Sequence, residues 1–596
     1  MCGISVIIAK SREFLPGNQA LERMMASQSH RGPDGSGMVL LDWAEEKIWL
    51  GHNLLAISEV KEKARQPFFS TDGACGIVFN GQIFNHQTLR SELESLGHKF
   101  VTESDTETLL VWLRQYGRKG LRRLVGMYAF IYWDSDRQLL IIHRDGYGVK
   151  PLYYARNRHF MVFSSEPAGI FASGIFFPVP DSTSIGYYLK YKFIPQNKSP
   201  WQGIKQVLPG EAIEYWESKP LHYQVLFEPS KVKSSLSEAI HHAFREVIPT
   251  KEKVGLMLSG GIDSSLILKW CLDNQIEVLP FSIRYQFETS LSADQKAVEY
   301  LEKLLGIQVN WIDVEWSEVS NLWQPSGLNE PLIADSARFL TRKIAEVARD
   351  SGIRILLSGA GADEWFAGYR RHWFFYQWIQ YQHFVPELLR EKLIQTFRIG
   401  KLKWMEMPEG GSPADVWDAS VASRLGTVLQ NRVQLPLSAS PEDQSVLSKA
   451  LAWDQKHYLV QDILTLTDQA TMAYGVEGRF PFLHPAVTGF AESVSAEDRL
   501  AKGRKWLLKN EVEKWAGKEF VNRRKLGFGL PYGRYLSSPE GQKLLNDAFF
   551  LLGEKLPGFW KENEWSRFQT EAKAQPHDFA QEILALIWLS EWLKNQ

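Results

Sequence analysis

Val254-Gly255-Leu256-Met257-Leu258-Ser259-Gly260-Gly261-Ile262-Asp263-Ser264-Ser265 runs from a short apolar segment through two glycines into residues suited to open a helix. Strand, glycine turn and helix make the repeating unit of a parallel sheet, whose ligands gather beyond the carboxyl ends of the strands. The glycines let backbone N–H groups approach phosphate oxygens, and the helix N-terminus adds a favourable dipole. No Gly-Lys-Ser/Thr follows, so this is not a Walker loop. Ser259, Gly260, Gly261, Ser264 and Ser265 are candidate nucleotide-phosphate ligands, and Asp263 is placed to hold magnesium beside the phosphates.

Outward from this loop the pattern repeats. Strands are expected over 254–258, 278–285, 309–314 and 354–357, with helices over 264–272, 294–305 and 337–350 between them. That alternation predicts a doubly wound parallel sheet. A second strand end, Ser358-Gly359-Ala360-Gly361-Ala362-Asp363-Glu364, has the same character, and Asp363 would be a second magnesium carboxylate if the two strands are neighbours. Lys505, in Arg504-Lys505-Trp506, is either a cation for pyrophosphate or part of a solvated basic face. The rest, to Gln596, is helical and tryptophan-rich, and is expected to pack on the same sheet and close over the substrate.

The first third reads differently. Short apolar strands over 4–9, 47–56 and 76–80, hairpins over 128–143 and 151–165, and helices over 87–96 and 106–116 suggest two sheets sandwiched by helices. Leu89, Leu93 and Leu96 should share one helix face. An irregular stretch over 215–233 places the boundary between domains spanning 1–220 and 221–596.

Bulk properties narrow the class. A chain of 596 residues exceeds what one core supports. A formal charge of −1 gives no global field for nucleic acid or an anionic membrane. No apolar run approaches a membrane span, and 4–9 is too short for a signal segment. The three cysteines, Cys2, Cys75 and Cys271, are too few and too scattered for a disulfide framework or zinc site, which points to a reducing, cytoplasmic setting. With 22 tryptophans the expectation is large aromatic cores rather than a base-stacking platform.

Cys2 directly follows the initiator. Removal of Met1 would leave its thiol beside its own α-amine, a base of pKa about 7.7–8.0, so no distant histidine is required. Asn80-Gly81 closes a nearby strand and could supply an oxyanion hole from a side-chain amide and a backbone amide.

Together these residues resemble the glutamine-hydrolysing asparagine synthetase family over nearly the whole chain. The matching pieces are Cys2-Gly3-Ile4, His30-Arg31-Gly32-Pro33-Asp34, Asn80-Gly81-Gln82-Ile83, Ser104-Asp105-Thr106-Glu107 and Arg144-Asp145. They continue with Gly148-Val149-Lys150-Pro151-Leu152-Tyr153, Ser164-Ser165-Glu166, both glycine loops, Phe366-Ala367-Gly368-Tyr369, Gly475-Val476-Glu477-Gly478-Arg479-Phe480-Pro481-Phe482-Leu483 and Lys525-Leu526-Gly527-Phe528-Gly529. The resemblance implies an N-terminal-nucleophile αββα glutaminase domain, then an ATP-pyrophosphatase-type α/β domain with extra helices, with ammonia passing between them inside the protein. It implies Cys2 as nucleophile, Asn80 and Gly81 as oxyanion stabilisers, and Leu54, Ile57, Ser58, Gln82 and Asp105 around glutamine. It also implies Met257, Ile283, Ser358 and Gly359 around ATP, with Lys505 on pyrophosphate and Mg2+ on Asp263 and Asp363. The reaction implied is amidation of aspartate through an acyl-adenylate, in a homodimer.

Four positions depart from the family pattern. Leu54 stands where an arginine usually binds the glutamine carboxylate, so Arg31, Lys63 or Arg65 would have to substitute. Gln82 replaces a glutamate, Ala360 replaces a glutamate implicated in ammonia addition, and His484 replaces an aspartate. The acceptor segment is expected around Glu330, Asp335 and Ser336. Other outcomes are an acceptor other than aspartate (a sugar acid or a natural-product precursor), a ligase restricted to free ammonia, or a non-enzymatic scaffold.

Overall fold

The computed structural model describes residues 2–10, 15–43, 46–57, 65–216, 219–228, 235–286, 292–323, 331–381, 417, 420–431, 433–434, 445–523, 529–530 and 532–596. Two antiparallel sheets come first. The strands are β1 (Gly3–Ala9), β2 (Gly35–Trp43), β3 (Glu46–Leu54), β4 (Phe68–Phe69), β5 (Cys75–Ile83), β6 (Gly126–Asp134), β7 (Leu139–Arg144), β8 (Tyr153–Arg156), β9 (Phe160–Ser164), β10 (Ile204–Gln206), β11 (Glu211–Trp216) and β12 (Lys219–Gln224). One sheet has the order β10-β8-β9-β1-β3-β2 and the other β12-β11-β7-β6-β5-β4.

Side-chain alternation builds the layers. Successive residues of a strand face opposite ways, so Ile4, Val6 and Ile8 of β1 meet Val78, Ile131 and Ile142 between the sheets. Ile7 and Ala9 face outward onto Leu21 and Met24 of the helix Asn18–Ser27. On the far side, Ile77 and Phe79 pack on Leu89, Leu93, Leu109 and Leu113 of the helices His86–Ser95 and Asp105–Tyr116. The result is the αββα sandwich. Leu96 does not join that face, because the helix stops at Ser95 and Leu96 is 55% exposed.

The second part is a five-stranded parallel sheet of β13 (Val254–Met257), β14 (Val278–Tyr285), β15 (Asn310–Val314), β16 (Ile355–Leu357) and β17 (Glu477–Arg479), in the order β15-β14-β13-β16-β17. The sequence pattern anticipates the first four strands. It misses β17, a three-residue strand far along the chain whose register is set only by its pairing with β16.

Two further expectations are corrected. The stretch 215–233 is not irregular throughout, because β12 lies within it, paired with β11; residues 217–218 and 229–234 lie outside the described residues. The last helix, Ala580–Lys594, is not confined to the parallel-sheet part of the chain. It lies against the first part of the chain, where Tyr188 Oη donates to the Ala585 carbonyl at 2.8 Å and Trp201 Nε1 donates to Gln596 Oε1 at 2.7 Å. Its residues are buried nearly all round, so its periodicity carries no outward face to read.

Candidate active site

The thiol site is where the apolar alternation between the two antiparallel sheets gives way to polar residues. On β1 the inward series Ile8, Val6, Ile4 continues to Cys2; on β3 Ile48 and Leu50 continue to His52 and Leu54; on β5 Val78 continues to Asn80 and Gln82. The register pairs Ile4 with His52 and Gly3 with Asn53, so the strand ends meet. Cys2 is 7% exposed, and its backbone N–H donates to Asn80 Oδ1 at 2.9 Å. That bond fixes the amide, leaving Asn80 Nδ2 buried without a partner.

Gly81 follows at φ 144°, and a Cβ there would stand 2.0 Å from the Met127 carbonyl oxygen, so only glycine fits. Asp105 opens its helix one residue after the Ser104 cap, and its Oδ2 accepts from the Ile83 N–H at 2.9 Å. Burial alone would raise the Cys2 thiol. The adjacent His52 ring and the Leu55 N–H are among the groups that outweigh it and bring the thiol down to about 7.

Leu54 is 5% exposed, Ile57 is half-buried against Leu55 and Met472, and Gln82 Oε1 is buried without a partner. Ser58 and Lys63 lie outside the described residues, and Arg65 is exposed. Arg31 is engaged elsewhere: Nη1 donates to Glu166 Oε1 at 2.9 Å, Nη2 to Asp468 Oδ2 at 2.8 Å, and Nε to the Cys2 carbonyl at 3.3 Å. It is therefore not the substitute cation for a glutamine carboxylate. It is a fully buried tie between the Cys2 backbone and the helix Thr465–Met472 of the second part. Leaving its two carboxylates uncompensated would cost on the order of 3–5 kcal/mol. Lys150 lies in the same buried region with Nζ unpartnered; burial lowers it, and the charges of Glu477, Asp468 and Asp145 oppose that.

The second site lies at the carboxyl ends of neighbouring parallel strands. Met257 ends β13, Ile283 lies near the end of β14, and Ser358 and Gly359 follow β16. After β13 the chain turns through Ser259, Gly260 and Gly261 into the helix Ile262–Asp273. Ser265 Oγ donates to the Gly261 carbonyl at 2.6 Å and Ser264 Oγ to the same oxygen at 3.3 Å, so the hydroxyls brace the loop's own backbone.

Lys505 decides the electrostatics. It is 7% exposed, and its Nζ lies 2.6 Å from Asp263 Oδ2 and 2.6 Å from Asp363 Oδ1. Burial would lower this ammonium, yet the two facing carboxylates raise it above its ordinary value. The solvated-face alternative for Lys505 is thereby corrected. Gly368 closes the cluster: a Cβ there would stand 1.8 Å from Asp363 Oδ1. Asp263 Oδ1 is buried without a partner. Two converging carboxylates with a spare oxygen suit a hard, oxygen-seeking dication such as magnesium.

The remaining sequence candidates divide. Ala360 is half-buried against an apolar cluster. Asp335 Oδ1 accepts from the Ala337 N–H at 2.8 Å and holds local backbone, whereas Ser336 Oγ accepts from the Leu530 N–H at 3.3 Å and ties down a distant segment of chain. Glu330 and 525–528 lie outside the described residues. His484 is structural: its Nδ1 accepts from the Ala486 N–H at 3.2 Å, so its Nε2 carries the proton donated to Glu246 at 2.9 Å. His52 was missed by the sequence reading. The only signal for it was its place two residues beyond Leu50 on the inward face of β3.

A thiol pocket with an unpartnered amide donor and a carboxylate-flanked cleft at the ends of the parallel strands suit a two-part amidotransferase. Known proteins agree. A family described as "Glutamine amidotransferase domain" matches residues 1–224, and one described as "Asparagine synthase" matches residues 235–594. The chain belongs to the asparagine synthase family. It is similar to asparagine synthetase (glutamine-hydrolyzing) 1 of Bacillus subtilis (strain 168), with 26% identity covering 92% of this chain and 89% of that protein. It is also similar to amidase chyE of Penicillium rubens, with 27% identity covering 62% and 59%. Asparagine synthetase (glutamine-hydrolyzing) 3 of Bacillus subtilis is 27% identical over 62% of this chain and 63% of its own length. No helix among the described residues is long and apolar enough to cross a membrane.

Proposed function

We propose that this protein amidates a carboxylate, with aspartate as the leading acceptor, using ATP for activation and glutamine as the nitrogen source. The observation that carries this reading is the coexistence in one chain of the Cys2–Asn80 pocket and the Asp263–Lys505–Asp363 cluster. Cys2 Sγ attacks the glutamine side-chain amide. Asn80 Nδ2 and the Gly81 N–H receive the oxyanion, and Asp105 holds the substrate's α-ammonium. In the second site the glycine-loop amides and Lys505 bind phosphate oxygens and hold the leaving pyrophosphate. The acceptor carboxylate attacks the α-phosphorus, and ammonia displaces AMP from the acyl-adenylate. Asp263 and Asp363 would hold magnesium, which supplies charge neutralisation along the phosphates.

Amino-acid analysis with AMP detection tests the reading on the full chain given Mg-ATP and aspartate, with glutamine or ammonium. Asparagine and AMP from both nitrogen sources are expected. AMP release with another carboxylate, and none with aspartate, would overturn the acceptor assignment. The amidase-named relative at similar identity is the reason to include carboxylates other than aspartate in the assay.

Leu54 yields a further expectation. Its side chain lies on the inward face shared with His52, beside the glutamine pocket. Leu54→Arg should restore a charge-assisted pair worth about 1.5–3 kcal/mol. The KM for glutamine in glutamate release should then fall roughly 10- to 100-fold with kcat little changed. An unchanged KM would show that the donor carboxylate is held elsewhere.

A further inference from the structure

Beside the Asp263–Lys505–Asp363 cluster the fold holds a further positioned cation. Arg371 lies at the start of the helix Arg370–Tyr381, shortly after Gly368, where a Cβ would strike both Asp363 and Lys505. Asp454, wholly buried on the π-helix Asp454–Leu464, grips it from one side. Arg371 Nε donates to Asp454 Oδ2 and Nη2 to Asp454 Oδ1, both at 2.9 Å. Two tyrosines complete the mount. The Tyr369 and Tyr458 rings meet edge to face, and the guanidinium carbon lies 4.2 Å and 4.5 Å from their centroids, in the corner between them. Tyr369 Oη in turn donates to Glu364, the neighbour of Asp363. Ion pairing and cation–π contact thus fix the guanidinium plane next to the metal-suited carboxylates.

This mount leaves part of the donor fork open. A guanidinium carries five N–H groups, and Asp454 takes two of them along the edge formed by Nε and Nη2. At the end of the fork, one N–H from each of Nη1 and Nη2 donates to none of the described residues. The Arg371 side chain is 22% exposed whereas that of Asp454 is 0% exposed, so a ligand can reach the arginine but not its anchor. Asp454 Oδ2 also accepts from His372 Nε2 at 2.5 Å. Its charge is shared between two donors, and the guanidinium keeps part of its own.

We propose that the open end of the Arg371 fork binds a second carboxylate of the acceptor, the one that is not activated, so that this site selects dicarboxylates. The inference rests on the amidation proposed above and names the feature by which the acceptor is chosen. In aspartate the group held is the α-carboxylate, which leaves the β-carboxylate to meet ATP. Two parallel N–H groups match the two oxygens of a carboxylate, a contact that the single ammonium of a lysine does not reproduce. A monocarboxylate, or a dicarboxylate capped as an amide at its far end, leaves the fork unpaired and is disfavoured. On the proposed reading the nucleotide phosphates have their donors in the glycine-loop amides and Lys505, so the anion left for Arg371 is the acceptor's.

The test follows AMP release by the full chain with ammonium as nitrogen source, which keeps the thiol site out of the readout. Acceptors are compared in pairs that differ only at the second carboxylate: aspartate against isoasparagine, its α-amide, and succinate against succinamate. Arg371→Lys is the variant, because it keeps a cation beside the buried Asp454 while removing the fork, and its melting curve is recorded beside that of the wild type. The wild type should prefer the dicarboxylate of a pair by about 10²-fold or more in kcat/KM. In Arg371→Lys the KM for aspartate should rise roughly 10- to 100-fold, the KM for ATP should stay within a few-fold, and the preference should shrink to about tenfold or less. Equal use of acid and amide by the wild type would overturn the proposal. So would an unchanged preference in an Arg371→Lys protein with a wild-type melting curve. A rise in the KM for ATP alone would give the fork to phosphate and overturn it equally. An Arg371-dependent preference for succinate over succinamate, with no AMP from aspartate, would instead sink the aspartate assignment and leave the choice of dicarboxylates standing.

Discussion

Cys2→Ala is expected to lower glutamine-supported AMP release by at least ~10⁴-fold, because the nucleophile proposed for glutamine hydrolysis would be gone. Ammonium-supported AMP release should stay within about twofold of wild type, since the nucleotide cleft is built on a different sheet. The substitution is also mild structurally. Cys2 contributes its backbone to the Asn80 and Arg31 bonds, and alanine keeps both contacts. The measurement is AMP and glutamate release under each nitrogen source. Loss of both routes would mean that the two sites are obligately coupled, and retention of both would mean that glutamine is not hydrolysed at Cys2.

Asp263→Asn is expected to have the complementary effect, cutting AMP release from both nitrogen sources by about 10³-fold or more while glutamate release persists. Asparagine keeps the size of the side chain and its contact with Lys505 but removes one of the two carboxylates that face that ammonium. On the proposed reading, one charge fewer weakens the hold on magnesium. On the same reading the lysine, no longer matched, is less well positioned for pyrophosphate. Raising the magnesium concentration should recover part of the loss, whereas extra aspartate or glutamine should not. An Asp263→Asn protein with wild-type AMP release at low magnesium would remove Asp263 from the nucleotide site. Lys505→Met is a poorer probe, because it leaves two buried carboxylates facing each other without a cation.

The local features were legible because they depend on neighbours in sequence. Short apolar runs over 4–9 and 76–80 announced β1 and β5, though not which of their faces turns inward. The glycines at 260–261 announced the turn after β13, and four strands of the parallel sheet fell where apolar runs alternate with helical ones. The thiol next to the initiator and the paired Ser-Gly loops were readable for the same reason. Failures came where the fold overrides pattern. β17 is three residues long and exists through pairing with β16. The helix Ala580–Lys594 is buried almost all round and gives no direction. His52 looked like any strand histidine until the register placed it at the thiol end of β1, with its ring on the Phe79 carbonyl.

The amino-acid sequence by itself determined the two architectures, the order in which they occur, and the places of the Cys2 thiol and the Ser259–Gly261 turn, because each is written in a short run whose chemistry is local. Tertiary structure alone decided which charges meet. Lys505 reaches Asp263 across 242 residues of chain, and Arg31 reaches Asp468 across 437. A buried ion pair is stable only when the whole fold excludes water from both partners and supplies their remaining hydrogen bonds. No short stretch of sequence records that condition. It is the reason Arg31 could be mistaken for a ligand of glutamine, and Lys505 for a surface lysine.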